Sequence, residues 1–397
     1  MVATQRWEAA RMRGIPFSDI RKIAERAAQL EREGKTVIHM EIGRPDFDTP
    51  AHIKQAAIKS LEEGFVHYTS NYGILSLRQA IADKLLRDNG IRVNPENEII
   101  VTVGANEAVS IALLAFLNPG DQVLMPDPAW PNYLHSPKMA GAEVVTYPLR
   151  EELGFQPDPD EIRRLITPRT RMLFLNSPHN PTGGVLDRQT LEALAVLATE
   201  HNLLVVSDEI YEKIVYDGAE HVSIASLPGM ADRAITINGF SKAYAMDGWR
   251  LGYVAASRPL VDTMVRVRQY LTTTPTSFAQ VGAVAAYRGP QDCVEEMRRE
   301  YDRRRQFLVA ALNEIEGLSC VRPRGAFYVF PSIKRLGMSS EEAASFFLEE
   351  AQVAVVPGSA FGQSGEGFVR LSYATDYDGI VEAVSRMRIA LHKRKAR

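Results

Sequence analysis

Between residues 18 and 33 apolar side chains recur three and four positions apart, so that Ile20, Ile23, Ala24, Ala27 and Leu30 share one face. The spacing predicts an amphipathic helix with Ser18 as its cap and Gly34 as its stop. From about Pro50 to Gly289 short apolar runs alternate with helical stretches. Residues 98–103, 171–175, 203–207 and 234–237 read as strands, and 108–117 as the body of a helix. Such alternation predicts an α/β fold around a parallel sheet. Gly289-Pro290 breaks the pattern. A charged helical stretch over 291–316 follows, with short strands near 327–330, 353–356 and 368–373. The expected division is an N-terminal arm and helix over 1–49, a large domain over 50–289 and a smaller α/β domain over 290–397. The arm joins the smaller domain, and ligand lies between the two.

A chain of 397 residues can bury a large core. Its net charge of −3 is spread with both signs mixed, which gives no footprint for nucleic acid. The basic tail from His392 to Arg397 is short and reads as a solvated terminus. Cys293 and Cys320 have no metal-like spacing and make no disulfide framework, as expected of a reducing cytoplasm. The N-terminus lacks an apolar signal core, and no stretch is long enough to span a bilayer.

Four segments carry candidate chemistry. In Asn238-Gly239-Phe240-Ser241-Lys242, a lysine follows small residues at the end of an apolar strand, and Gly248-Trp249-Arg250 turns shortly after. A lysine there is either a surface side chain of a βα loop or a partly desolvated amine able to form a Schiff base. The loop Asn176-Ser177-Pro178-His179-Asn180-Pro181-Thr182-Gly183-Gly184 follows a buried-looking strand. Its asparagines either satisfy backbone groups or, like Asn180, offer an amide to a ligand at a strand's carboxyl end. In Ser207-Asp208-Glu209-Ile210-Tyr211, Asp208 either caps a helix while Tyr211 packs in the core, or faces a pyridine nitrogen and keeps it protonated. Gly104-Ala105-Asn106 joins a strand to a helix start, where backbone N–H groups and the helix dipole suit an anion.

A Schiff-base lysine, a strand-end Asp, a Tyr, an Asn loop and a phosphate cup are together the parts that hold pyridoxal phosphate. With these motifs in this order, the chain resembles the class I/II aminotransferases of fold type I. The resemblance is strongest to the branch of aspartate and archaeal-type aromatic aminotransferases, and it runs from about Arg13 to the last helix. It implies a large domain with a mostly parallel seven-stranded sheet and a smaller α/β domain. It also implies pyridoxal 5'-phosphate, ping-pong transfer from an amino acid to a 2-oxo acid, and a homodimer. By resemblance, Lys242 is the Schiff-base lysine and shuttles the Cα proton, Asp208 partners the ring nitrogen, and Asn180 and Tyr211 contact the ring oxygen. Trp130 stacks on the ring, or is an ordinary core Trp. Gly104, Ala105 and Asn106 form the phosphate cup, Arg250 closes on the phosphate, and Ser241 adds a hydroxyl. Gly43 approaches the substrate, and Tyr68 reaches the phosphate of the neighbouring subunit. Arg370, in Phe368-Val369-Arg370-Leu371-Ser372-Tyr373, grips the substrate carboxylate, for which a bidentate fork is suited; the alternative is an outward-facing strand Arg.

The substrate side departs from the acidic-substrate members, which carry a lysine where this chain has Asn106 and a threonine near its Ile20. The expected donor is therefore neutral, aromatic or aliphatic, with 2-oxoglutarate or pyruvate as acceptor. The apolar loop Gly14-Ile15-Pro16-Phe17 agrees, although Arg13 remains a cation for a distal carboxylate. An aspartate-type aminotransferase and a pyridoxal-phosphate lyase on the same fold are the alternatives. Asp247 replaces the usual small hydroxyl residue; it either pairs with Arg250 and weakens phosphate binding or faces solvent. A serine hydrolase fails because the only histidine after Ser241 is His392. A nicotinamide enzyme fails for want of a G-x-G-x-x-G after a strand. A DNA-binding regulator would need more room than the first 17 residues offer.

Overall fold

The computed structural model describes residues 7–396. Residues 1–6 and Arg397, the end of the basic tail, lie outside the described residues. In chain order the strands are β1 (Ile38–His39), β2 (Ile99–Thr102), β3 (Gln122–Asp127), β4 (Glu143–Pro148), β5 (Thr170–Asn176), β6 (Leu204–Asp208), β7 (Ala234–Gly239), β8 (Gly252–Ala255), β9 (Tyr328–Val329), β10 (Val353–Ala354), β11 (Val356–Pro357) and β12 (Val369–Ser372). Seven form one sheet in the order β2-β8-β7-β6-β5-β3-β4. All its pairings are parallel except those of β8, which is antiparallel to β2 and β7.

Helices cover both faces of this sheet, and its strands show why. Along β5, Met172 and Phe174 pack into one apolar cluster with Ile111 and Ile237, while Leu173 and Leu175 pack into another with Leu194 and Leu197. Such alternation makes each central strand apolar on both sides, as a parallel sheet requires. A third cluster unites β9 and β12 with the helices Asp292–Asn313, Ser340–Ala351 and Tyr377–Lys395. It also includes Tyr211, which abuts the large sheet.

Three expectations need correction. The N-terminal helix spans Asp19–Arg32 with Ser18 at its cap position, but the Ser18 side chain makes no capping hydrogen bond. The charged helix stops at Asn313, three residues early, where Leu312 accepts from Ile315 and the chain turns. The apolar run 353–356 is not one strand. Val353 and Ala354 pair with β1, whereas Val356 and Pro357 pair with β12, so the run crosses between two small sheets. Both cysteines are free, and among the described residues no helix is long and apolar enough to cross a membrane.

Leu173 is fully buried at the centre of the large sheet. Leu173→Ala is expected to cost about 2–5 kcal/mol through lost burial and the cavity left behind, seen as a lower thermal midpoint of an otherwise folded protein.

Candidate active site

Strands β2, β5, β6 and β7 run in the same direction, and their carboxyl ends converge on one cavity of about 270 Å³. Asp208 ends β6, the loop bearing Asn180 follows β5, and Ser241 and Lys242 follow β7. This is where open α/β sheets bind ligands.

Beyond β2, residues 104–106 are the first turn of the helix Gly104–Phe116. Gly104 has a φ of +70°, and a Cβ there would meet the guanidinium of Arg250. The helix start and this guanidinium therefore form a cup that a side chain at 104 would crowd, and the N–H groups of a helix start beside a cation suit an anion. Arg250 itself adopts a left-handed conformation, φ 54°, after the short turn Asp247–Trp249. Its Nη1 donates to the main-chain carbonyl of Asp247 at 2.8 Å. The Asp247 side chain lines the cavity, where its charge raises the affinity of Lys242 for a proton. Of the two expectations for Asp247, pairing with Arg250 does not hold, since Arg250 takes its carbonyl; its half-buried side chain stands at the cavity instead.

Lys242 is half-buried, with Nζ donating to the Gly43 carbonyl at 2.7 Å and lying 5.7 Å from the ring centroids of both Tyr211 and Phe327. Burial pulls its pKa down to about 8, with Arg250 and Arg370 adding to the effect and Asp247 opposing it. Asp208 is buried. The Tyr133 hydroxyl donates to its Oδ2 at 2.6 Å and the Ile210 N–H to its Oδ1 at 3.1 Å. Burial pushes its carboxyl up to about 6 despite those two bonds. The Ile210 bond closes a turn rather than capping a helix. The hydroxyls of Tyr211 and Tyr328 are 2.7 Å apart, and burial holds the Tyr211 phenol protonated.

Arg370 sits on β12, fully buried. Its Nη1 donates to Asn180 Oδ1 at 3.2 Å and its Nη2 to the Glu41 carbonyl, while Nε has no partner. The rings of Tyr328 and Phe361 lie 4.6 and 4.9 Å from the guanidinium carbon. A buried guanidinium with an open donor calls for an anionic acceptor. Gly43 completes this wall, because a Cβ there would collide with the Tyr328 hydroxyl.

The fold thus brings together Gly43, Ala105, Asn106, Trp130, Asn180, Asp208, Tyr211, Ser241, Lys242, Arg250 and Arg370 around one cavity, with Gly104 at its rim. Trp130 is half-buried there, edge-on to Tyr133. Among the loop asparagines both readings apply: Asn176 secures the backbone, donating to the Asp208 carbonyl at 2.9 Å, while Asn180 meets Arg370. Tyr68 is not in this cavity; it is 89% exposed. Tyr133, Tyr328 and the Glu41 carbonyl were not anticipated. Tyr133 had one legible signal, its place three residues after Trp130 at a helix start.

The displaced Lys242 pKa gives a direct check. In cofactor-free protein, reductive methylation of Lys242 by formaldehyde, followed by mass spectrometry, should rise through a midpoint near pH 8. Exposed lysines should rise about two units higher. A Lys242 midpoint with the exposed lysines would contradict its desolvation.

Comparison with known proteins agrees with this geometry. The model of the family described as aminotransferase class I and II matches residues 35–387. The aspartate aminotransferase of Pyrococcus abyssi is 49% identical over 380 residues, covering 95% of this chain and 96% of that one. The aromatic-amino-acid aminotransferase 2 of Thermococcus litoralis is 47% identical, covering 97% and 98%. The crystal structure of an aromatic aminotransferase from Pyrococcus horikoshii OT3 superimposes with a TM-score of 0.89 at 48% identity, covering 93% of this chain and 99% of that one. The chain belongs to the class I and II aminotransferases.

Proposed function

We propose that this pyridoxal-phosphate-dependent aminotransferase takes its amino group from a neutral L-amino acid, aromatic or aliphatic, and passes it to 2-oxoglutarate or pyruvate. The charge inventory of the cavity carries the reading. Among the described residues lining it the cations are Lys242, Arg250 and Arg370, and each has a task that any amino-acid donor requires. At the position where a further cation would meet a distal carboxylate, Asn132 Nδ2 donates to Asn106 Oδ1 at 3.0 Å, an amide pair without charge. Ile20 adds an apolar wall, and Arg13 is exposed and outside the lining. The aspartate-type alternative would need Arg13 to move in.

The residues present fit the family's cofactor: a cup kept open by Gly104 under Arg250 suits its phosphate, and buried Asp208 suits its ring nitrogen. When bound, pyridoxal phosphate supplies an electrophilic aldehyde and an electron sink. Lys242, poised near neutrality, would hold the aldehyde and, once the donor's amine has displaced it, would remove the substrate Cα proton and return it. Arg370 orients the donor by its carboxylate, with Asn180 beside it. With the cofactor in place, Asp208 would keep a positive charge on the ring nitrogen, Tyr211 and Asn180 would hold the ring oxygen, and Trp130 would supply an aromatic wall. Ser241 lends a hydroxyl at the cup.

The same reading makes the active unit a homodimer in the cytoplasm. The exposed Tyr68 and Val66 lie on a segment tied to residues 268–280 by Arg268 and Gln280, and that region exposes Tyr270 and Leu271. A second copy covering this apolar surface would bring Tyr68 to its partner's phosphate. The two free cysteines support a reducing compartment. The division into an arm over 1–49 and domains over 50–289 and 290–397 is supported by β1, which pairs with β10 rather than with the large sheet.

The decisive experiment is the visible spectrum of the loaded protein as phenylalanine, leucine, alanine, methionine and aspartate are added singly. The expected result is a shift with neutral donors, reversed by a 2-oxo acid; a strong aspartate preference overturns the donor class. Lys242→Ala should abolish turnover, and Asp208→Ala should lower kcat by at least about 10²-fold. Arg370→Ala should raise KM for the donor by about 10- to 100-fold, the scale of one or two charge-assisted hydrogen bonds. Near-normal activity in the first two variants would remove the assigned roles. Sedimentation should find a dimer, with Tyr68→Phe weakening cofactor retention.

A further inference from the structure

The turn after β6 faces two ways. Asp208 and Tyr211 line the cavity, whereas Glu209 and Glu212, each one residue further on, enter a buried polar cluster instead. Glu209 accepts from Ser207 Oγ at 2.9 Å and from the Ser223 hydroxyl, and His221 Nε2 lies 3.0 Å from it. Glu212 pairs with the Lys84 ammonium and accepts from Asn89 Nδ2 at 2.8 Å. Lys84 in turn donates to Asn89 Oδ1 at 2.7 Å, and Asn89 Nδ2 donates to Ser223 Oγ at 3.0 Å. The two glutamates are thus joined into one network. Lys84 and Asn89 reach the same carboxylate because residues 85–89 form a π turn, whose hydrogen bonds link positions five apart.

Glu209, Glu212 and His221 offer three ligand atoms within 4.8 Å of one another, a spacing that suits a metal ion. The cation seated on Glu212, however, is Lys84. Burial pushes the Glu212 carboxyl up, but Lys84, His221 and Lys213 outweigh burial and hold it below the usual range. The cluster is an internal ion network.

We propose that Lys84, Asn89 and Ser223 are positioning residues for cofactor binding: by anchoring Glu209 and Glu212 they set the main chain that presents Asp208 and Tyr211. Lys84 has a second, electrostatic part. Asp208 is faced by the Tyr133 hydroxyl, the Lys242 ammonium and the Glu209 carboxylate, and the last opposes its ionisation. Lys84, seated on Glu212 in the same network, also feels the Glu209 charge, and a cation there offsets it. The inference rests on the reading of Asp208 and Tyr211 as cofactor contacts.

The test compares Lys84→Met, Ser223→Ala and Asp208→Ala in the full chain. The readouts are the dissociation constant for pyridoxal phosphate, the pH midpoint of the loaded protein's visible spectrum, KM for a donor amino acid at saturating cofactor, and the melting temperature of cofactor-free protein. Lys84→Met is expected to weaken cofactor binding about 10-fold, the scale on which supporting shells act. It should also move the spectral midpoint and leave KM within about twofold, since Arg370 lies outside the network. Ser223→Ala should move the same readouts less. A lower melting temperature with cofactor affinity and spectral midpoint unmoved would overturn the proposal, leaving the network a structural role alone. Should Lys84→Met not fold, Ser223→Ala and Glu209→Gln decide by the same two readouts. Unchanged cofactor affinity in Asp208→Ala would instead overturn the reading of Asp208 itself.

Discussion

A guanidinium removed from water must be met by acceptors, and Arg370 meets too few of its own. Its two partners are a carbonyl of the N-terminal segment at Glu41 and the amide of Asn180 in the loop after β5. The chain must therefore hold β12, the segment after β1 and the large sheet in fixed relation, or the charge is stranded. Everything else at the site follows from that junction. Tyr328, on the strand paired with β12, covers the guanidinium and hydrogen-bonds Tyr211. The glycine at 43 leaves space for that phenol and lends its carbonyl to Lys242. The open Nε is then a demand for a further acceptor rather than a defect.

The cavity is also an exercise in keeping charges unpaired. Asp208 and Arg370 are buried and Lys242 half-buried, none with a direct ion pair among the described residues, and desolvation draws the pKa of Lys242 down and that of Asp208 up. Neutral groups hold them instead: a carbonyl for Lys242, a phenol and a backbone N–H for Asp208, an amide for Arg370. Neutral partners orient a charge without cancelling it, so each remains available to a ligand.

Much of this was legible along the chain, for a physical reason. A parallel sheet buries its strands on both faces, so they appear as unbroken apolar runs, and the polar residues just beyond them stand out. Lys242, Asp208, Asn180 and the 104–106 turn are all of this kind. Arg370 stood out among its apolar neighbours, but that pattern suits an outward-facing Arg equally well, and its role came from the resemblance. Tyr328 and Glu41 were not legible, and Tyr133 only by its place after Trp130, since their roles come from partners 117, 329 and 75 residues away. The run 353–356 has one uniform pattern, and nothing local says that it divides between two sheets. Ser18 is a good capping residue by type, but its side chain is left out of the helix it precedes.

The antiparallel course of β8 has a consequence for how the protein assembles. Because β8 doubles back beside β7, Lys242 and Arg250 both lie in the single short connection between them. Closing such a loop costs little chain entropy. Arg370, by contrast, joins partners 190 and 329 residues away, whose encounter is entropically dear. The Lys242–Arg250 corner of the cavity is therefore local in the chain, whereas the junction around Arg370 is not. During folding the first has the means to form while the second still waits for both ends of the polypeptide to meet.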